Sequence, residues 1–372
     1  MNANLTCSSC GEAYSGQAPV WRCTCGGLLD IVFEPNFSIK KLKGRANNLW
    51  RYREVIPIRY DKNIVSFQEG CTPLLEINFG KRSALVKQDQ LFPSGSYKDR
   101  GTTVLLSKMK ELGLKRILED SSGNAGCSIA AYAAKANISC DIYVPATASA
   151  SKLAQIESYG AKLHRIPGSR EDTAAAAFGA AQKIYYASHC WNPYFFHGTK
   201  TFAYEVCEQL GWKAPDAVVL PVGNGTLVIG AHIGFSELLA LGIIKKTPRL
   251  IGVQVAACDP VAQAFRKKLQ HIPAAQKKPS LAEGIATAAP VRGRQILDCI
   301  LDSGGEMISV SEAQVKNAFR ETARAGYFIE LTSAAVVAGL KIYLERAGKK
   351  ETVVSIFTGS GLKTADKVAS LL

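Results

Sequence analysis

The sequence predicts an α/β protein of two doubly wound domains with a small cysteine knuckle ahead of them, and three observations carry that prediction. From about Leu85 onward, short β-branched runs alternate with amphipathic helical stretches, the rhythm of strands joined by crossover helices. Several of those runs are apolar on both faces, as strands buried between helix layers must be. The opening segment is rich in cysteine and glycine and has no helical period, so it reads as a separate body.

Taken in order, Lys115 to Glu119 reads as a strand followed by a helix over Asn124 to Ala136, and Cys140 to Val144 as a strand followed by a helix over Ser151 to Tyr159. Buried strands follow at Ala217 to Val222, Leu250 to Ala256 and Thr352 to Thr358, while Pro248 and HIPAAQKKP (271–279) mark surface connections. The expected boundaries are 1–34 for a zinc-ribbon-like knuckle, 35–108 plus 203–372 for a large domain, and 109–202 for a small α/β domain.

Composition narrows the function classes. With 47% hydrophobic and 20% charged residues and no long uncharged apolar run, the chain reads as a soluble enzyme rather than a membrane protein. Its first residues lack a signal-peptide pattern, so a cytoplasmic location is expected. Of eleven cysteines, seven (Cys71, Cys127, Cys140, Cys190, Cys207, Cys258, Cys299) are scattered singly, which reads as reduced buried thiols. The net charge of +14 comes from dispersed Lys and Arg. A zinc-ribbon protein binding nucleic acid would need basic clusters interleaved with aromatic platforms, and the sequence shows neither. A phosphorylated cofactor or an anionic substrate accounts for the basic balance equally well.

Four turns carry chemistry. PSGSYKDRG (Pro93 to Gly101) sets Lys98 in a Gly/Ser turn before a helix. Such a lysine is ordinarily solvated, but a rigid turn is also what a Schiff-base lysine requires. SSGNAG (Ser121 to Gly126) ends a strand and opens a helix: it is either an ordinary capped turn, or a place where small residues let backbone donors approach a ligand and the Asn124 amide reaches a ring oxygen. PVGNGTL (Pro221 to Leu227) follows a buried strand, and Gly223 and Gly225 let N–H groups and a helix N-terminus converge on a phosphate. It is neither a Walker A loop nor a full GxGxxG, which disfavours ATP and nicotinamide. FTGSGLK (Phe357 to Lys363) follows the last strand, and Thr358 either caps a turn or offers a neutral hydroxyl to a pyridine nitrogen. A hydroxyl does not force that nitrogen to stay protonated, so a moderate electron sink is expected, favouring elimination and replacement over transamination.

These turns, in this order, resemble the type II family of pyridoxal phosphate enzymes, whose fold is tryptophan synthase β-like, and within it the threonine synthases. EGCTPL (Glu69 to Leu74), KLAQIESYGA (Lys152 to Ala161) and NPYFFHGTKT (Asn192 to Thr201) add to the likeness, which runs from about Glu69 to the C-terminus. The resemblance implies that Lys98 holds pyridoxal 5'-phosphate as a Schiff base and shuttles protons. It implies too that Asn124 meets the ring oxygen, that Gly223, Asn224, Gly225, Thr226 and Leu227 bind the phosphate, and that Thr358 meets the ring nitrogen. The implied reaction turns O-phosphohomoserine and water into threonine and phosphate, with substrate-side contacts from Ser96, Ser122, Ser169, Arg170, Asn192 and Lys200. Arg170 and Lys200 suit an anionic leaving group.

The chain also departs from the pattern. His197 to Thr201 (HGTKT) stands where many threonine synthases carry Glu-Gly-Gln-Lys-Thr, and Glu283 to Leu297 lacks the usual Arg-Ile-Gly-Asn-Pro run. These departures bear on the substrate, and a cysteate synthase, a serine or threonine dehydratase or a diaminopropionate ammonia-lyase is the alternative. At the N-terminus, Cys7-x2-Cys10 and Cys23-x-Cys25 supply four thiolates for a structural zinc, although the second pair is one residue shorter than usual. The five histidines (164, 189, 197, 232 and 271) show no metal-ligand spacing and read as structural, His197 being the one with a motif around it. A homodimer is the expected assembly.

Overall fold

Apolar β-branched runs separated by a dozen or more residues can pair in parallel only if the intervening chain crosses over, and the chain does this in a computed structural model describing residues 3–148, 150–276 and 278–369. Met1, Asn2, Ser149, Lys277 (within the expected surface connection) and residues 370–372 lie outside the described residues. After strands β1 (Asn4–Cys7), β2 (Ala13–Ser15) and β3 (Leu29–Val32) come a hairpin of β4 (Leu74–Phe79) and β5 (Arg82–Lys87), and helix α1 (Lys98–Glu111). Alternation then sets in with β6 (Arg116–Glu119), α2 (Asn124–Ala136), β7 (Ser139–Pro145), α3 (Ala150–Ser158), β8 (Lys162–Ile166), α4 (Arg170–Ala180) and β9 (Tyr185–Tyr186). Helices α5 (Pro193–Thr199) and α6 (Thr201–Gln209) lead to β10 (Ala217–Pro221), α7 (Thr226–Ala240), β11 (Arg249–Val255), α8 (Pro260–Arg266) and α9 (Gly293–Asp302). The chain closes with β12 (Glu306–Val310), α10 (Glu312–Arg324), α11 (Leu331–Arg346), β13 (Val353–Ile356) and α12 (Ala365–Ala369).

The chain divides into two units: Met1–Gly70 with Lys98–Thr199, and Cys71–Tyr97 with Lys200–Leu372. This division differs from the expected boundaries. In the first unit a parallel sheet of order β8-β7-β6-β9 stands beside the antiparallel knuckle sheet β2-β1-β3. The knuckle is not a body of its own, because Trp21 packs edge-on against Phe178, Tyr186 and Trp191 at ring separations of 5.3, 5.1 and 5.7 Å. Residues between the knuckle and the hairpin also join this unit: the Trp50 indole donates to Thr103 Oγ1 (3.0 Å), and the Val65 amide to Ser107 Oγ (2.8 Å), both on α1.

The second unit has a six-stranded sheet of order β12-β11-β10-β13-β5-β4, parallel throughout except for the edge pair β4 and β5. Helix α11 is apolar nearly all round, and Leu331, Ala334, Val337 and Leu340 are buried in the same core as Val219, Val253 and Val310. Burying each such Val or Leu stabilises the unit by roughly 1.5–3 kcal/mol. Close approach needs Gly339, since a Cβ there would lie 2.4 Å from Val253 Cγ2. Among the described residues, no helix is long and apolar enough to cross a membrane.

Candidate active site

In open α/β sheets, ligands bind beyond the carboxyl ends of the strands. In the second unit, the loops after β5, β10 and β13 occupy such ends. Gly225 caps α7 with φ +74°, and a Cβ there would stand 2.2 Å from Ile296 Cγ1. At Gly223 a Cβ would meet Gly284 O at 3.0 Å. Within α7 the first bond back to the turn comes from the Ile229 amide to Gly225 O (2.9 Å), so the amides of Thr226, Leu227 and Val228 have no carbonyl of their own helix to pair with.

Tyr97 ties the loops together. Its hydroxyl lies 2.9 Å from Thr226 Oγ1, and its amide donates to Thr358 O at 2.9 Å. Ser96 pairs as an isolated bridge with Gly359, and its own hydroxyl is fully buried without a hydrogen-bond partner among the described residues. The Thr358 hydroxyl donates to Glu330 Oε1 (2.7 Å) and lies 2.9 Å from Ser333 Oγ; the three side chains are buried. A phosphorylated pyridine fits these residues: glycines keep side chains away from a helix N-terminus carrying partial positive charge, and Ser96 and Thr358 offer buried hydroxyls.

The first unit begins its second segment with Lys98, one peptide bond after Tyr97. Lys98 opens α1, is half-buried, and has its Nζ 5.8 Å from the centre of the Phe195 ring. Two motif glycines fix its base. A Cβ at Gly101 would lie 2.5 Å from the Phe195 ring, and one at Gly198 would lie 2.0 Å from Arg100 O, so α1 and α5 cross almost backbone to backbone. Buried Asp99 accepts from Ser128 Oγ (2.6 Å), tying α1 to α2. Asn124 is the first residue of α2, and Gly126 is required because a Cβ would stand 1.9 Å from Ser121 O. Ser122 lies half-buried in the turn between β6 and α2.

The other substrate-side residues have partners. Ser169 caps α4 in a reciprocal box with Asp172, and Arg170 donates to Asp120 Oδ2 at 2.6 Å. Asn192 is fully buried, donating to Tyr185 Oη (2.8 Å) and accepting from the Tyr194 amide (3.1 Å). Lys200, in the second unit, is buried against Glu237 (2.7 Å), which also accepts from the Tyr204 hydroxyl (2.9 Å). His197 is buried, edge-on to Phe33.

Two clusters were not found from the sequence. Glu330 and Ser333 lie at the head of α11, where the only sequence signal is a carboxylate inside the apolar run YFIELTSAAVV. In the first unit, Glu119 Oε1 lies 2.6 Å from His189 Nδ1, and His189 Nε2 lies 3.1 Å from Cys190 Sγ. Burial drives the Glu119 carboxyl far up, the His189 imidazole down and the Cys190 thiol up, so the trio is held neutral rather than as a reactive thiolate.

At the N-terminus, Cys7, Cys10, Cys23 and Cys25 place their sulfurs within 4.8 Å of one another, with Cys7 to Cys25 and Cys10 to Cys23 each 3.6 Å apart. A Cβ at Gly27 would lie 2.7 Å from Cys7 Sγ, so that glycine keeps the cluster closed. None of the eleven cysteines forms a disulfide.

The fold and these loops define a class. A sequence profile of the family described as pyridoxal-phosphate dependent enzyme matches residues 65–359, and the chain belongs to that family. It is 36% identical to the threonine synthase of Methanocaldococcus jannaschii, over 97% of this chain and 93% of that protein. It is 34% identical to the threonine synthase of Methanosarcina acetivorans, over 98% and 93%. Among solved structures it resembles maize serine racemase (TM-score 0.69, 18% identity, 81% of this chain and 92% of that one). It likewise resembles the processed form of threonine deaminase isoform 2 from Solanum lycopersicum (TM-score 0.69, 19% identity, 91% and 90%). At those identities the structural likeness establishes the fold, that of the type II pyridoxal phosphate enzymes.

Proposed function

We propose that the protein is a threonine synthase, acting on O-phosphohomoserine and water to give threonine and inorganic phosphate. The observation that carries this reading is the 36% identity to a threonine synthase along 97% of the chain. Lys98 would hold pyridoxal phosphate covalently, the Gly223 to Leu227 turn its phosphate, Asn124 its ring oxygen and Thr358 its ring nitrogen. When bound, the cofactor supplies an electron sink for charge developing on the amino acid. Lys98 takes and returns protons at the substrate carbons. One Cβ–H proton is taken, the Cγ–O bond breaks with loss of phosphate, a proton joins Cγ, and water gives its hydroxyl to Cβ and its remaining proton to the released phosphate. Of the basic residues, Arg170 keeps guanidinium N–H groups beyond its bond to Asp120 and is the better suited to an anionic group; Lys200 is already committed to Glu237.

Incubating purified protein with phosphohomoserine should release threonine and phosphate in equal amounts. Keto acid and ammonia from serine, threonine or diaminopropionate, with none from phosphohomoserine, would favour the lyase reading that the His197 to Thr201 departure raises; replacement on phosphoserine would favour a cysteate synthase. For the knuckle, four thiolates about 2.3 Å from a tetrahedral zinc stand roughly 3.8 Å apart, close to the 3.6 Å pairs present. A structural zinc there predicts about one metal per chain, lost when the four cysteines become serine. A cytoplasmic homodimer completes the reading, and light scattering of the holoenzyme tests the assembly.

A further inference from the structure

Tyr97 carries an inference that rests on the cofactor reading above. The residue is buried, and a bare aromatic ring would fill the same space, whereas a buried tyrosine hydroxyl costs stability unless it finds a partner. Here the partner is Thr226 Oγ1 at 2.9 Å, also buried. Main chain fixes the other end of the residue: its amide donates to Thr358 O at 2.9 Å, and the preceding Ser96 bridges to Gly359. Tyr97 is thus anchored on the loop after β13 and reaches the turn after β10, all inside the second unit.

We propose that Tyr97 is a positioning residue for the cofactor's phosphate, acting through Thr226. That threonine is the first residue of α7, directly after Gly225. Inside a helix a threonine can settle its hydroxyl on a carbonyl three or four residues back, but here those residues are Gly223 and Val222, which lie outside the helix. A brace from elsewhere in the unit sets the rotamer, and the hydrogen bond to Tyr97 supplies one, whichever hydroxyl gives the proton. The turn itself has little room to shift, since a Cβ at Gly225 would stand 2.2 Å from Ile296 Cγ1. Thr226 Oγ1 and the first amides of α7 are therefore held as one fixed set of groups for an anion.

The test strips the full-length chain of cofactor with hydroxylamine and titrates it with pyridoxal phosphate and, separately, with pyridoxal, which keeps the aldehyde and lacks the phosphate. Schiff-base absorbance reads both titrations, and the 31P resonance of bound pyridoxal phosphate reports the surroundings of its phosphate. Borohydride reduction and mass mapping report separately whether the adduct is at Lys98. Tyr97→Phe should raise the dissociation constant of pyridoxal phosphate roughly 2- to 10-fold, the effect of one net hydrogen bond, and move the 31P resonance. Pyridoxal should bind as it does to wild type. Thr226→Val should also weaken only the phosphorylated ligand, and adding Tyr97→Phe to it should change nothing further. A Tyr97→Phe chain that binds pyridoxal phosphate like wild type, or that weakens both ligands equally, overturns the inference and leaves the cofactor reading intact. Effects that add in the double variant overturn it too. If Tyr97→Phe fails to fold, Thr226→Val decides: an unchanged ratio between the two ligands overturns the inference, and a loss confined to pyridoxal phosphate upholds it. No adduct at Lys98 in wild type overturns the cofactor reading and this inference with it.

Discussion

Lys98 takes its place from its neighbours in the chain. Within the first unit it opens α1, whose Gly101 is pressed against Phe195, so the lysine starts from a packed helix end. Lys98→Ala should therefore fold like the parent while losing the near-visible absorbance of the holoenzyme and its turnover, as a spectrum and a phosphate-release assay would show. Loss of the band with turnover intact would remove Lys98 from the chemistry. The lysine and the glycine turns were legible in the sequence because their chemistry is local: a turn, a strand end and a helix start lie within a few residues of each other. Glu330 and Ser333 were not. They approach Thr358 from a helix that begins at Leu331, and nothing in FTGSGLK points to them.

Elements were read well where period and composition agreed. The expected helix Asn124–Ala136 is α2, and the expected strands near Lys115, Cys140, Ala217 and Leu250 are β6, β7, β10 and β11, with ends shifted by a residue or so. The crossing of α1 over α5 could not be read, because a motif glycine looks the same whether it serves a turn or a close approach. At that crossing, Gly101→Ala should destabilise the fold by about 1–3 kcal/mol, the usual cost of overpacking, as a shift in the urea midpoint. Gly225→Ala acts differently: its left-handed backbone costs an alanine about 1–2 kcal/mol, and the clash with Ile296 should also weaken cofactor retention on dialysis. A pH effect belongs to β7, an inner strand of the smaller parallel sheet. Burial pulls the Asp141 carboxyl up, but hydrogen bonds from Arg116 and His164 outweigh it, and the net shift is downward. The stability this lends is complete above the unfolded carboxyl value near about 4 and is lost as pH falls through the lower folded value. Urea titrations of wild type and Asp141→Asn should accordingly differ at pH 7 and converge in acid; a constant gap would rule this out.

At the scale of the whole molecule, the knuckle was expected as an appendage, but Trp21 seats it against Tyr186 and Trp191 within its unit. If zinc holds the four sulfurs, chelation should lower the melting temperature of that unit through the same aromatic contact, a coupling that calorimetry with and without a chelator would register. The sequence could not reveal this, since a cysteine pattern says what a segment binds and not what it leans on. A different consequence follows from the order of the larger sheet. Strand β13, near the C-terminal end, is interior there, pairing with β10 on one side and β5 on the other. The hairpin β4–β5 is translated early yet reaches the rest of that sheet only through β13. During synthesis it must wait, with its inner edge exposed, until Val353–Ile356 has left the ribosome. Such long-separation closure is slow, and a nascent chain stalled before Val353 should be a substrate for chaperones that shield bare strand edges.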